Sequence, residues 1–388
     1  MTTIGGGASP RWRLACGWLT QFVVGTDLFV VSPLLPAIAA EYGLSAAQAG
    51  ISVTAFSVTY LLCAPVIGHL ADRFGRRRML LGGLLGFALA NLLTGLAPGF
   101  GLLLATRIAA GATAAGIAPL IYAGVGEAAP EASRATWMSI AVSGLLLALS
   151  LGAPAGTLLA AHWGWRAPFL VLALASLGLI AANRLVWPDD ARRGGATAAA
   201  LPALDWGAAA IGLLPTVLWA TALYGAYTYL GVWLTGEGLS PPLIARAISF
   251  YGAGALVGTL IGGRIADRFG VRLTQTISLS GLAACLALFG IGVGTGLAAD
   301  MLLLVLSVFA QLFFPAQQAG LVRGFPGRRV LLLALNNSAL FLGISAGSVL
   351  GGKAMEWGGF SADAGLGALI AGLALVSIIL PGRLRPRG

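Results

Sequence analysis

The chain has 388 residues, of which 58% are hydrophobic and 9% charged, and its mean hydropathy is +0.91. Soluble domains run about 25% charged, and 23 basic plus 13 acidic residues cannot cover a water-soluble fold of this size. Composition therefore excludes an ordinary soluble enzyme or binding domain, and lipid has to cover much of the surface.

A spanning helix needs about 20 apolar residues, and the gaps between charges are that long. In chain order, spans are predicted around 14–38, within 42–71, around 79–97 and 102–123, within 135–165, around 167–186, within 206–236, around 244–266, and within 273–299, 301–322, 330–352 and 364–382. The fold class is an all-α polytopic membrane protein with about twelve transmembrane helices. A membrane β-barrel would show alternating segments of about 10 residues, and the chain does not. The apolar run of span 1 continues through Leu35 with no small-residue cleavage site, which predicts that it stays as a helix and is not removed as a signal.

The net charge of +10 follows from orientation. With the N-terminus cytoplasmic, the twelve-span count puts nineteen basic residues inside and leaves Arg166, Arg246 and Lys353 outside, as the positive-inside rule requires. The expectation is a multi-pass protein of the cell (inner) membrane with both termini cytoplasmic, partnered by the lipid bilayer and by no nucleic acid. Cys16, Cys63 and Cys285 all lie in apolar spans and read as small hydrophobes, so neither a disulfide frame nor a metal site is expected.

The chain repeats itself. Gly68-His69-Leu70-Ala71-Asp72-Arg73-Phe74-Gly75 returns as Gly263-Arg264-Ile265-Ala266-Asp267-Arg268-Phe269-Gly270, 195 residues later. The same offset carries Gly152 and Gly156 onto Gly347 and Gly351, small-xxx-small steps that let helices approach closely. An even number of spans separates the copies, so the halves are parallel repeats. The predicted organisation is a six-helix bundle over 1–186, a cytoplasmic linker over 187–205 and a second six-helix bundle over 206–388.

Gly-x-Leu-Ala-Asp-Arg-Phe-Gly-Arg-Arg-Arg at 68–78 resembles the signature loop between helices 2 and 3 of the major facilitator superfamily. The likeness extends to the second copy, to Arg107-Ile-Ala-Ala-Gly111 in span 4, and to Gly-Ala-Pro-Ala-Gly-Thr at 152–157 followed by Gly-Trp-Arg-Ala-Pro-Phe at 164–169. With Gly-Thr-Asp-Leu-Phe at 25–29 and Pro33-Leu-Leu-Pro36, it looks most like the drug:proton antiporters near the arabinose-efflux-like branch. The resemblance implies the major facilitator fold. It also implies a gate built on Gly68, Asp72, Arg73, Gly75 and Arg76 and echoed by Asp267 and Arg268, in which the acid meets a helix across the domain boundary. The second copy has Val271 and Leu273 where the first has Arg76 and Arg78, which predicts a weaker latch there.

Asp27 is the acid that the span assignment places deep in the membrane, midway along span 1, and Arg107 in span 4 is the one base at comparable depth. An intramembrane carboxylate is a functional candidate by default, and the two charges are expected to meet. The resemblance gives the pair a role in proton coupling. Gly152, Pro154 and Gly156 in span 5, with Gly347 and Gly351 in span 11, are expected to pack helices closely; Ala153 and Thr157 depart from the exporter pattern of Gly-Pro-x-x-Gly-Gly. Polar and aromatic side chains in apolar helices should turn to a cavity or another helix. The substrate-binding candidates are Gln21, Tyr122, Trp219, Tyr224, Tyr227, Gln311, Asn336 and Asn337.

The leading reading is a secondary active transporter exporting a small amphipathic drug or metabolite by alternating access, driven by the proton gradient and needing no other cofactor. A functional monomer is expected. A proton-coupled importer or a facilitator of a sugar or nucleoside would share the fold, and a membrane sensor or structural protein is the reading from another class. No Walker-type phosphate loop is present, and two histidines with one deep acid assemble no catalytic centre, so an enzyme is not expected.

Overall fold

The computed structural model describes residues 9–131, 134–188, 205–325 and 329–379. Apolar runs in lipid must satisfy their backbone internally, so they fold as helices. The order is α1 (Pro10–Tyr42), α2 (Ala46–Phe74), α3 (Arg76–Gly95), α4 (Phe100–Ala128), α5 (Arg134–Leu147), a π-helical turn (Ala148–Gly152), α6 (Ala153–Trp163), α7 (Ala167–Val186), α8 (Trp206–Gly236), α9 (Pro241–Phe269), α10 (Val271–Gly290), α11 (Leu297–Gly324) and α12 (Arg329–Ile379).

Among the described residues eleven helices are long and apolar enough to cross a bilayer. The last is α12, whose 51 residues break at Gly358 and Gly359. At about 1.5 Å per residue it is more than twice the ~30 Å hydrocarbon thickness, so it makes two passes. Spans 11 and 12 of the sequence are its two segments, and α5, the π turn and α6 together are span 5. The predicted linker at 187–205 lies outside the described residues from 189 to 204.

Local sequence sets the element ends. Ser45 accepts from the Gln48 backbone N–H at 3.2 Å while its own N–H donates to Gln48 Oε1 at 2.9 Å, a capping box that starts α2. Asp205 caps α8 by accepting from the Ala208 N–H at 3.0 Å. Pro154 brings no N–H and crowds the carbonyl four residues back, which accounts for the wider π turn just before it. Gly75 and Gly270, at φ 95° and 92°, make the sharp turns into α3 and α10. This conformation belongs to glycine. Gly75→Ala and Gly270→Ala should each cost about 1–3 kcal/mol, read from thermal unfolding of the purified variants.

Contacts divide the chain into two compact units, Met1–Val30 with Leu62–Ala198, and Val31–Leu61 with Ala199–Gly388. In the first, α3 packs against α4 and α7. A Cβ at Gly152 would lie 3.0 Å from Thr26 Cβ, and one at Gly156 would meet the Val30 side chain, so both glycines are where α6 and the π turn press on α1. In the second unit α12 packs along α8 and α10, and α9 along α11. A Cβ at Gly347 would lie 2.6 Å from the Thr221 carbonyl oxygen, the same crossing 195 residues on, since that offset also takes Thr26 to Thr221. The second unit takes in the end of α1 and the start of α2: Ser32 donates to the carbonyls of Tyr227 and Thr228, and the Ser348 hydroxyl donates to the Gly50 carbonyl at 2.8 Å.

Candidate functional site

Within the first unit, Asp27 on α1 and Arg107 on α4 meet. Arg107 donates from Nη1 and Nη2 to Asp27 Oδ1 and Oδ2 at 2.8 and 2.9 Å, a two-pronged pair with side chains 0% and 2% exposed. The Phe169 ring of α7 stands 5.7 Å from the guanidinium carbon. Two-pronged geometry offsets part of the desolvation cost, and either charge alone at this depth would be strongly unfavourable. Helix α1 is clamped here by the π turn. A Cβ on Gly25 would come within 2.8 Å of Ala148 Cβ and of Leu145 Cδ1, so the irregular turn lies one to two residues from the acid.

Gln21, six residues before Asp27, is fully buried, and among the described residues neither its amide nitrogen nor its oxygen has a hydrogen-bond partner. An unpaired buried amide costs stability unless a ligand or water completes it. Tyr122 on α4 is half-buried.

The other substrate candidates fall in the second unit and form an aromatic wall. Trp219, Tyr224 and Tyr227 follow one another along α8 with ring centroids 6.2 and 6.4 Å apart, both edge-on. Tyr224 reaches the Gln311 amide of α11. Tyr227 lies 5.0 Å from Tyr251 of α9, ring to ring, and the Tyr251 hydroxyl is buried without a partner among the described residues. Tyr251 was not among the sequence candidates; as one aromatic in an apolar stretch of span 8 it carries no signal until α9 is packed beside α8. Trp219 is 1% exposed, donates to the Ala310 carbonyl at 2.8 Å and stacks on Phe313, so its polar atom already serves the α8–α11 contact. Asn336 likewise accepts from Thr216 at 2.6 Å, joining α8 to α12. Asn337 is half-buried and meets Tyr60 of α2, whose ring stacks 3.7 Å from Phe341.

The duplicated turn repeats in geometry as well as in sequence. Arg77 donates to the Arg184 carbonyl at 2.6 Å, and Arg272, 195 residues on, donates to the Ile379 carbonyl at 2.7 Å. Arg73 lies over Phe74 and Arg268 over Phe269, both at 5.4 Å. Arg76 pairs with Glu127 at 2.5 Å, and Asp267 lies 3.7 Å from Arg323, both partners exposed. Gly68 and Asp72 lie in α2, but their surroundings are outside the described residues.

Two further acids are buried near helix starts: Asp300 on α11 and Asp363 on α12 are each 2% exposed. Asp300 pairs with Arg246 of α9 at 2.8 Å, which gives that Arg a buried partner. The sequence hid Asp363 because a charge-free run begins after its last charge, whereas the break at Gly358 and Gly359 starts the second segment of α12 before it. Asp363 Oδ2 has no hydrogen-bond partner, and among the described residues no cation pairs with the carboxyl. Its place in a first helical turn favours a negative charge by about 0.3–1 kcal/mol, less than the several kcal/mol that an isolated buried charge costs. Among the described residues no three His, Cys, Asp or Glu side chains gather to hold a metal.

Long apolar helices, a duplicated Gly-Asp-Arg-Gly turn and a buried charge pair define a multi-pass membrane transport protein, and comparison with known proteins agrees. The family description "Major Facilitator Superfamily" matches residues 17–307 and 238–388, so the chain belongs to the major facilitator superfamily. It is a transporter and not an enzyme. It is 30% identical over 390 residues to the inner membrane transport protein YdhP of Escherichia coli K12, covering 97% of both chains. It is 30% identical to the MFS-type transporter YceJ of Bacillus subtilis, covering 86% of this chain and 88% of that one. A chloramphenicol resistance protein of Streptomyces lividans is 29% identical over 66% of this chain and 67% of its own. Among solved structures, a bacterial homologue of the human lysosomal transporter Spinster, inward-facing and occupied, superposes with a TM-score of 0.79 at 18% identity over 98% of each chain, a likeness of fold.

Proposed function

We propose that the protein is a proton-coupled exporter of a small amphipathic solute, working by alternating access between the halves 1–186 and 206–388 with 187–205 as linker. The observation that carries this reading is the buried Asp27–Arg107 pair. A carboxylate held this deep by a guanidinium takes up a proton only when their separation or their contact with water changes. The π turn clamped on α1 beside Asp27 supplies a segment able to move them. Protonating Asp27 frees Arg107, and the solute or a helix shift returns the pair to the charged state.

The aromatic wall of Tyr224, Tyr227 and Tyr251, with the Gln311 amide and the orphaned Tyr251 hydroxyl, suits a ring-bearing solute with a hydrogen-bonding group. The resistance protein of Streptomyces lividans makes chloramphenicol a reasonable first probe. The turns at Asp72 and Asp267 act as gates on the cytoplasmic side of the cell membrane, and the protein works as a monomer. An importer keeps one point in its favour, the Ala153 and Thr157 departures in span 5.

In proteoliposomes, an imposed pH gradient should drive chloramphenicol against its concentration, and collapsing the gradient should stop it. Asp27→Asn should still bind solute but lose the response to the gradient. Intact proton-driven flux in that variant would refute the coupling role, and movement with protons instead of against them would favour import.

A further inference from the structure

The buried carboxyl of Asp363 is not used by the mechanism above, and its surroundings are specific. It sits in a cradle of two glycines: a Cβ on Gly351 would lie 2.7 Å from Asp363 Oδ1, and one on Gly225 would lie 3.5 Å from it. A Cβ on Gly351 would also touch the Tyr229 ring at 3.2 Å, so acid and phenol both crowd the space beside this one glycine. Tyr229 donates to the Ser348 carbonyl at 2.7 Å, and the Ser348 hydroxyl donates to the Gly50 carbonyl at 2.8 Å. Gly50 itself lies on the Tyr229 hydroxyl, and a Cβ on the neighbouring Gly352 would be 3.1 Å from Ala47 Cα. A continuous set of contacts thus runs from Asp363 through α8 and α12 to the first turns of α2, all within the second unit.

We propose that Asp363 is a proton-binding site distinct from Asp27, holding its proton while α2 is packed on Tyr229 and Ser348 and releasing it to water when that end of the unit opens. Among the described residues one oxygen of this buried carboxyl has no partner and no cation stands beside it, an environment that favours the neutral acid in the packed state. Titratable groups on the elements packed here include Tyr229 on α8, Lys353 and Glu356 on α12 and Cys285 on α10, with Tyr224 and Tyr227 farther back along α8, Glu237 just past its end, and none in the first turns of α2. Of these, Glu356 is held by Ser45 at 3.2 Å, and Tyr229 by Ser348. Withdrawal of Ala47 and Gly50 uncovers Tyr229, admits water to the glycine cradle, and lets Asp363 ionise as the O–H bond breaks and water takes the proton. Reclosure then requires a proton from the same side.

The inference rests on alternating access but not on the coupling role of Asp27, and the two are separable by experiment. Infrared difference spectra of the full chain in nanodiscs should contain a protonated-carboxyl C=O band that is lost in Asp363→Asn and retained in Asp27→Asn. A native state that holds a proton the unfolded chain gives up is stabilised at low pH and loses that stabilisation as pH rises. Wild type should therefore lose thermal stability more steeply than Asp363→Asn as pH rises above the ordinary carboxylate range of about 4. Asparagine resembles the neutral acid, so failure of that variant to fold would overturn the proposal. So would a band unchanged in Asp363→Asn, or stabilisation of wild type but not Asp363→Asn by sodium at constant pH, which would make this a metal-cation site. Normal gradient response in Asp27→Asn would remove the coupling role of that residue and leave Asp363 standing.

Discussion

Arg107→Ala should lower the stability of the purified protein by about 3–5 kcal/mol, more than the loss from removing both members of the pair. The single variant strands the Asp27 carboxylate, 0% exposed, without the two donors that now hold it at 2.8 and 2.9 Å. The double variant Asp27→Leu with Arg107→Met removes both desolvated charges and fills much of their volume with apolar atoms, which elsewhere is often neutral or stabilising. Thermal unfolding in one detergent should rank wild type and the double variant together, with Arg107→Ala well below. Gradient-driven transport should follow a different order, absent in both variants, because the response to protons needs the intact pair and folding does not. If the double variant is as unstable as the single one, the pair is a structural tie and the proton-coupling proposal loses its main support. Asp27→Asn should fall between them in stability, since an amide can still accept from Arg107 but without the charge.

How far this was legible beforehand depended on whether the signal was local. The duplicated Gly-Asp-Arg-Gly segment and its 195-residue offset are readable along the chain, because the repeat is a pattern in the sequence itself. The meeting of Asp27 with Arg107 was readable for another reason: two opposite charges in apolar spans have few affordable partners. Asp363 and Asp300 escaped because each borders a charge-free run, where sequence cannot tell a solvated helix end from a protein-covered one. Tyr251 escaped because its value depends on which helix lies beside α9. Trp219 and Asn336 were marked as cavity candidates from polarity alone, and polarity does not say whether a group faces a solute or the carbonyl and hydroxyl they in fact engage.

The same limit applies to Gly254, Gly258 and Gly262, three glycines four residues apart on α9 whose partner no local pattern names. It lies on the backbone of α11. Ideal Cβ atoms would approach Leu304 C at 2.9 Å, Val308 Cα at 3.0 Å and Leu312 Cα at 2.9 Å, and each would meet main-chain atoms that cannot rotate aside. Without a hydrophobic force between helices in lipid, this close approach supplies the dispersion contacts that hold α9 to α11. Gly258→Ala should therefore cost about 1–3 kcal/mol despite the better helix propensity of Ala, and Gly258→Val more. Gly263→Ala is the control: it lies in the same helix with open space around its Cβ, and should be neutral or stabilising by up to about 1 kcal/mol. Opposite signs in thermal unfolding would establish that steric contact, and not backbone entropy, decides the result. The change should also reach the solute site. Tyr251 stands one turn before Gly254, so forcing α9 outward carries its hydroxyl away from Tyr227, now 5.0 Å away ring to ring. Solute affinity should fall in Gly258→Ala and stay at the wild-type value in Gly263→Ala, measured by ligand-induced stabilisation with the transported probe.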